Sequence, residues 1–191
     1  ETKGSKSRAG RGGKPRPTMN DIPQLYPSGT EVIVQVTKGP ISTKGPRVTA
    51  QVSLAGRFLV FMPHASRVGV SRKIGERAER QRLREQVQGM LPPKSGGVIV
   101  RTVGEDATPE AFERELNTLL GTWKKVKRKN TFVRAPALLH RETSLTRGII
   151  RDVFSTKIEK VEVDSKQIYN EIVEYLGGVA PELVERIHLY E

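Results

Sequence analysis

A chain of 191 residues is long enough to bury one large core or two small ones, and its 33 Lys and Arg against 21 Asp and Glu leave a formal charge of +12. That excess favours a polyanion as partner, nucleic acid first, with a basic structural protein as the plain alternative. The absence of cysteine excludes disulfides and Cys-ligated zinc, and His64, His140 and His188 show no metal-ligand spacing. No apolar run reaches the length of a membrane span and no signal-peptide pattern opens the chain, so a soluble, cytoplasmic protein is expected. Aromatics make up only 5% of residues, which argues against extensive base stacking and makes phosphate contacts the expected source of affinity. Residue 1 is not Met and the last residues follow a strand-like I-H-L-Y, so a piece of a longer protein is expected.

Residues 1–29 carry six Lys or Arg, two acids, five Gly and four Pro, which reads as a flexible basic arm or an insertion. Order begins at Thr30, where Val32, Val34 and Val36 alternate as in a strand. A turn through Lys44-Gly45 leads to a second strand over Arg47–Leu54. The resulting hairpin carries Lys38, Lys44 and Arg47 around its loop, and suits either the closing strands of a small β-barrel or a solvated hairpin tip. In S-L-A-G-R-F-L-V-F-M-P, Gly56 interrupts an apolar run and predicts a bulge, a sharp bend or a close backbone approach. Phe58–Met62 resumes as a buried strand.

Residues Ser66–Ile74 set three bases on a glycine-bent segment, and a helix over Glu76–Met90 follows, with Ala78, Leu83, Val87 and Met90 as its apolar stripe. Val98–Gly104 then reads as a short strand buried on both faces, ending in Arg101 and Thr102. A guanidinium fork and a hydroxyl on a rigid strand end suit a phosphate. The alternative is an arginine that leaves the sheet and meets solvent or a carboxylate. If the three strands share a sheet, Gly56, Val60, Arg67, Arg72, Arg101 and Thr102 converge.

Thr108 and Pro109 open a second helix with Phe112, Leu116, Leu119, Leu120, Trp123 and Val126 on its core face. Its tail, residues 124–129, reads as a phosphate patch or as cations suited to the helix dipole. The last third alternates a helix (Leu145, Ile149, Ile150 and Val153 on one face), a strand at Lys160–Val163, a helix from Ser165 closed by Gly177-Gly178, and a strand at Ile187–Tyr190. This is a βαβ pattern, with Asp164 expected to cap the helix. Asp152 and Asp164 alone make no two-metal carboxylate set.

Taken in order, E-V-I-V-Q-V, the turn at Lys44-Gly45, S-L-A-G-R-F-L-V-F-M-P, G-V-S-R-K-I, V-I-V-R-T-V-G and A-P-A-L-L-H-R-E resemble the bacterial ribonuclease E/G family, from about Thr30 to the end. The resemblance implies an α+β (mixed) fold. Residues 30–50 would end an OB-type β-barrel, 51–146 would form a mixed α/β 5′-sensor, and 147–191 an RNase H-like βαβ segment with a structural role. It implies single-stranded RNA with a 5′-monophosphate as partner, and a homo-oligomer as the full-length endoribonuclease of RNA processing and mRNA decay. Arg101 and Thr102 would hold the 5′-phosphate, Gly56 and Val60 would line the pocket for the terminal nucleotide, and Arg72 would assist. Lys38 and Lys44 would belong to the RNA channel. The family's Mg²⁺-binding aspartate pair and its common zinc-binding cysteine pair have no counterpart in these residues, so no catalytic residue is assigned and the chain itself is expected not to cleave RNA. The rival is a non-catalytic basic RNA-binding module, such as an assembly or ribosome-associated factor. A purely structural interaction protein would leave the clustered bases unexplained.

Overall fold

The computed structural model describes residues 18–141, 145–154 and 158–190, so most of the basic arm lies outside the described residues. Two compact units divide the chain, Glu1–Val32 and Ile33–Glu191. In the first, a single 3-10 turn at Met19–Asp21 runs into α1 (Ile22–Leu25). The Thr18 amide and hydroxyl both donate to the Asp21 carboxylate, at 2.7 and 2.9 Å, and hold its pKa below the ordinary value.

The second unit opens on a two-stranded antiparallel sheet of β1 (Gln35–Lys38) and β2 (Arg47–Thr49). The expected strand is shorter than the valine alternation predicts, and among the described residues the sheet stays open, with no barrel closure. Val34, Val36 and Val48 are each at least 45% exposed, because two strands alone offer no second layer to bury them. Gln35 anchors the hairpin by donating from Nε2 to the Ser53 carbonyl (3.0 Å) and accepting from the Ser53 amide (2.8 Å).

A four-stranded mixed sheet follows, with β3 (Leu54–Ala55), β4 (Leu59–Met62), β5 (Val68–Val70) and β6 (Gly97–Val100) in the order β3-β4-β6-β5. β3 and β4 form a hairpin around Gly56, whose amide donates to the Leu59 carbonyl at 2.8 Å. Helix α2 (Arg77–Met90) joins β5 to its parallel neighbour β6. Strand alternation sends Leu59, Phe61, Val98 and Val100 to one face, all fully buried, and leaves Val60 and Ile99 half-buried on the other. β6 is therefore fully buried on one face only, contrary to the reading of its β-branched run. It also ends at Val100, and Thr102–Gly104 form a 3-10 turn.

Helix α3 (Pro109–Asn130) starts as predicted, Thr108 Oγ1 accepting from the Ala111 amide at 3.2 Å. Phe112, Leu116, Leu119, Trp123 and Val126 join Leu83 and Val87 of α2 and the buried sheet face in one core. Trp123 is a core residue, edge-on to His64 at 5.8 Å. Ala78, expected on the apolar stripe, is exposed, while Ile74, just before α2, is fully buried in the core.

A second core gathers α4 (Leu145–Val153), β7 (Val161–Val163), α5 (Lys166–Val179) and β8 (Ile187–Leu189). β7 and β8 pair in parallel across α5, as the βαβ pattern requires. Three expectations are corrected. Ile149 and Val153 are exposed, and the buried face of this segment is Ile150 and Phe154; the side chain of Leu145 lies outside the described residues. Ser165, not Asp164, caps α5, its hydroxyl accepting from the Ile168 amide at 3.5 Å. The helix also runs through Gly177 and Gly178 to Val179. Among the described residues, no helix is long and apolar enough to cross a membrane.

Candidate nucleic-acid interface

The parallel pairing of β5 with β6 brings the residues after both strands to one end of the sheet. The Arg101 amide donates to the Phe58 carbonyl at 2.7 Å and the Ser71 amide to the Val100 carbonyl at 2.8 Å. Arg101 continues the alternation of β6 and so shares the half-buried face with Ile99 and its register partner Val60. Thr102 Oγ1 and Ser71 Oγ lie 2.9 Å apart. Only one hydroxyl hydrogen is consumed by that bond, so the other O–H is free to donate outward.

The Arg101 guanidinium is a quarter exposed. Its Nη1 donates to the Gly56 carbonyl at 2.8 Å and meets Asp152 Oδ1 at 2.7 Å. Thus Arg101 does meet a carboxylate, as the alternative reading of this strand end expects. The contact uses one edge only: Nε and Nη2 have no hydrogen-bond partner among the described residues. Asp152 lies in α4 and is also bonded by Arg151, Nε to Oδ1 at 3.0 Å, while Arg151 Nη1 reaches the Ala55 carbonyl at 3.2 Å. The Arg151 and then the Arg101 guanidinium hold Asp152 below the usual carboxylate range, against some desolvation. Asp152 therefore stays ionised and fixes the orientation of Arg101.

Beneath Gly56 lies a buried carboxylate. Glu115, on the core face of α3, accepts from three successive amides: Arg57 N at 2.5 Å, and Phe58 N and Leu59 N at 2.8 Å each. Burial pushes its pKa up, while the three amides and the Arg101 charge pull it down. A Cβ on Gly56 would stand 2.5 Å from the Glu115 carboxyl carbon, so the close approach expected at this glycine is made by a side chain of the same molecule. Arg57 is 3% exposed, 5.5 Å from the Phe58 ring centre; its Nε and Nη1 have no hydrogen-bond partner among the described residues, and desolvation lowers its pKa.

The convergence expected from sequence is partial. Gly56, Val60, Arg101 and Thr102 come together, and Arg72, exposed and without an ion pair among the described residues, follows β5 at the same sheet end. Arg67 precedes β5 at the opposite end, its carbonyl accepting from Val98 N at 3.2 Å. Lys38 and Lys44 are exposed on the separate β1–β2 hairpin. Sequence reasoning missed Ser71, Glu115 and Asp152, for which only the three-dimensional pairing is a signal.

Among the described residues, no three His, Cys, Asp or Glu side chains stand together as a metal site requires. Asp152, engaged by two guanidiniums, is a poor metal ligand, and these residues do not fit the Mg²⁺ pair that the resemblance implies.

Residues 53–191 match the sequence profile of the Ribonuclease E/G family. Over 172 residues the chain is 36% identical to Ribonuclease G of Haemophilus influenzae, covering 90% of this chain and 35% of that protein. It is 39% identical over 173 residues to the Ribonuclease E/G-like protein, chloroplastic, of Arabidopsis thaliana, covering 85% of this chain and 17% of the relative. Against Ribonuclease E of H. influenzae the identity is 37% over 177 residues, 92% of this chain and 18% of the relative. The chain thus spans about a third or less of these relatives, yet most of its own length, including every strand of the mixed sheet and the Arg101 site, falls within the match. It belongs to the ribonuclease E/G family.

Proposed function

We propose that this chain is the RNA-binding, 5′-monophosphate-sensing part of a single-strand-specific endoribonuclease of RNA processing and mRNA decay, acting in the cytoplasm within a homo-oligomeric full-length enzyme. The observation that carries the reading is the free Nε and Nη2 edge of Arg101, beside a hydroxyl pair with one O–H to spare. That edge matches two oxygens of a terminal phosphate bidentately, and Thr102 donates to a third. Val60 and Ile99, half-buried on the same face, offer apolar contact to the terminal nucleotide. Gly56 serves through its carbonyl, which steadies Arg101 from within. Arg72 adds charge from β5's end, and Lys38 and Lys44 follow the RNA further along. Mg²⁺ and Zn²⁺ would act elsewhere in the longer enzyme.

A direct test is nuclear magnetic resonance of the full chain. The Arg101 Nε–H and Thr102 amide signals should shift on titration with a 5′-monophosphorylated oligoribonucleotide and stay in place with its 5′-hydroxyl counterpart. Identical shifts with both would sink the proposal.

Asp152 supplies a quantitative check. Its charge orients Arg101 but also repels an incoming phosphate. Asp152→Asn keeps an acceptor for Nη1 and removes that repulsion, about 1 kcal/mol for charges roughly 4 Å apart at the dielectric of bulk water. Affinity for 5′-monophosphorylated RNA should rise about fivefold, with 5′-hydroxyl RNA unaffected. A loss of affinity for the monophosphate would mean that the carboxylate's charge is needed to hold the arginine.

A further inference from the structure

The C-terminal end of α3 carries a second feature that the Arg101 site does not use. Thr122, Lys125, Lys129 and Phe132 succeed one another along one side of the helix and its exit, and with Arg128 and His140 they border an open cleft of about 540 Å³. Among the described residues, no acidic side chain lines it and none of Lys125, Arg128 and Lys129 forms an ion pair. Cations in the last helical turn complement the helix dipole, and that alone would account for the charges.

It does not account for Phe132. Of the five phenylalanines, Phe58, Phe61, Phe112 and Phe154 are at most 7% exposed, while Phe132 is 83% exposed at the cleft edge. A solvent-facing phenyl ring gains nothing from folding, whereas beside three unpaired cations it is a platform for an unstacked base. Buried Val126 and half-buried Leu139 tie the cleft to the first core, so it is backed by rigid structure.

We propose that this cleft binds single-stranded RNA, with phosphates on Lys125, Arg128 and Lys129 and one base stacked on Phe132. Arg128 lies 13 residues beyond Glu115, which marks the Gly56 end of the helix. At 1.5 Å per residue that is roughly 20 Å along the axis, so the cleft contacts RNA well away from a 5′ end held at Arg101. It therefore adds affinity irrespective of the 5′ group, which separates its test from that of the Arg101 site.

The test uses the full chain and a 5′-hydroxyl oligoribonucleotide followed by fluorescence anisotropy. Phe132→Ala should weaken binding by roughly five- to a hundredfold, the range for one lost base–aromatic stack. Arg128→Gln with Lys129→Gln should weaken it as well and reduce the slope of log affinity against log salt by about 1.4, for two phosphate contacts on a single strand. Both variants should lose the same factor on 5′-monophosphorylated RNA, and Phe132→Ala should leave binding to a long duplex nearly unchanged, since only its terminal pairs offer a free face. Thermal unfolding like that of the wild type shows that the fold is kept, as expected for exposed side chains. Unchanged affinity in a folded Phe132→Ala variant, an equal loss on duplex, or a loss confined to monophosphorylated RNA overturns the proposal.

Discussion

Gly56→Ala should lower the unfolding free energy by about 2–4 kcal/mol, where glycine-to-alanine changes at open sites are neutral or stabilising. The new methyl would fall 2.5 Å from the Glu115 carboxyl carbon and 2.6–2.8 Å from its oxygens. The end of a glutamate usually swings aside at little cost, but this one is pinned by three amide donors in a buried site. Moving it strips Arg57, Phe58 and Leu59 of their acceptor, and an unsatisfied buried amide costs about 1–3 kcal/mol. Glu115→Ala should cost a similar amount by the same route. Because both changes break the same contacts, the double variant should cost clearly less than the sum of the singles. Urea unfolding of the four proteins measures this, and additive costs would show that the glycine and the carboxylate act independently.

Arg101→Ala should weaken binding of 5′-monophosphorylated RNA about ten- to a hundredfold while 5′-hydroxyl RNA changes little. A charge-assisted contact is worth about 1.5–3 kcal/mol, and the free Nε and Nη2 edge makes two in parallel. Arg101→Lys should recover only part of the loss, because an ammonium cannot present two fixed donors while also bonding Gly56 and Asp152. Equal losses on the two RNAs would make Arg101 a general backbone contact.

Much of this site is legible along the chain. An apolar run marks β4 and a β-branched one β6, the glycine marks the hairpin, and Arg101 and Thr102 stand just after the strand. The partners of these residues are not legible. Glu115 occupies a helix position next to Leu116, and acids in helices are ordinarily solvated; only the folded hairpin supplies amides that justify burying it. Asp152 lies 51 positions beyond Arg101, and no local pattern encodes a contact between two elements of different cores. Helix faces miss by one position where the stripe is thin, as at Ile149 and Val153, because two adjacent apolar residues fit either phase. Val36 of β1 and Val48 of β2 pair across the hairpin yet stay exposed, since period two tells which residues share a face but not what covers it.

The most direct measurement is the ratio of affinities of the wild-type chain for one single-stranded oligoribonucleotide carrying either a 5′-monophosphate or a 5′-hydroxyl, at a single fixed salt concentration. Contacts along the strand, including those of the α3 cleft, are common to both RNAs and cancel in the ratio. Only a site that reads the terminal phosphate remains. A free guanidinium edge and a spare hydroxyl predict tenfold or greater preference for the monophosphate. Equal affinities would contradict the assignment of Arg101 and Thr102 as a 5′-end sensor.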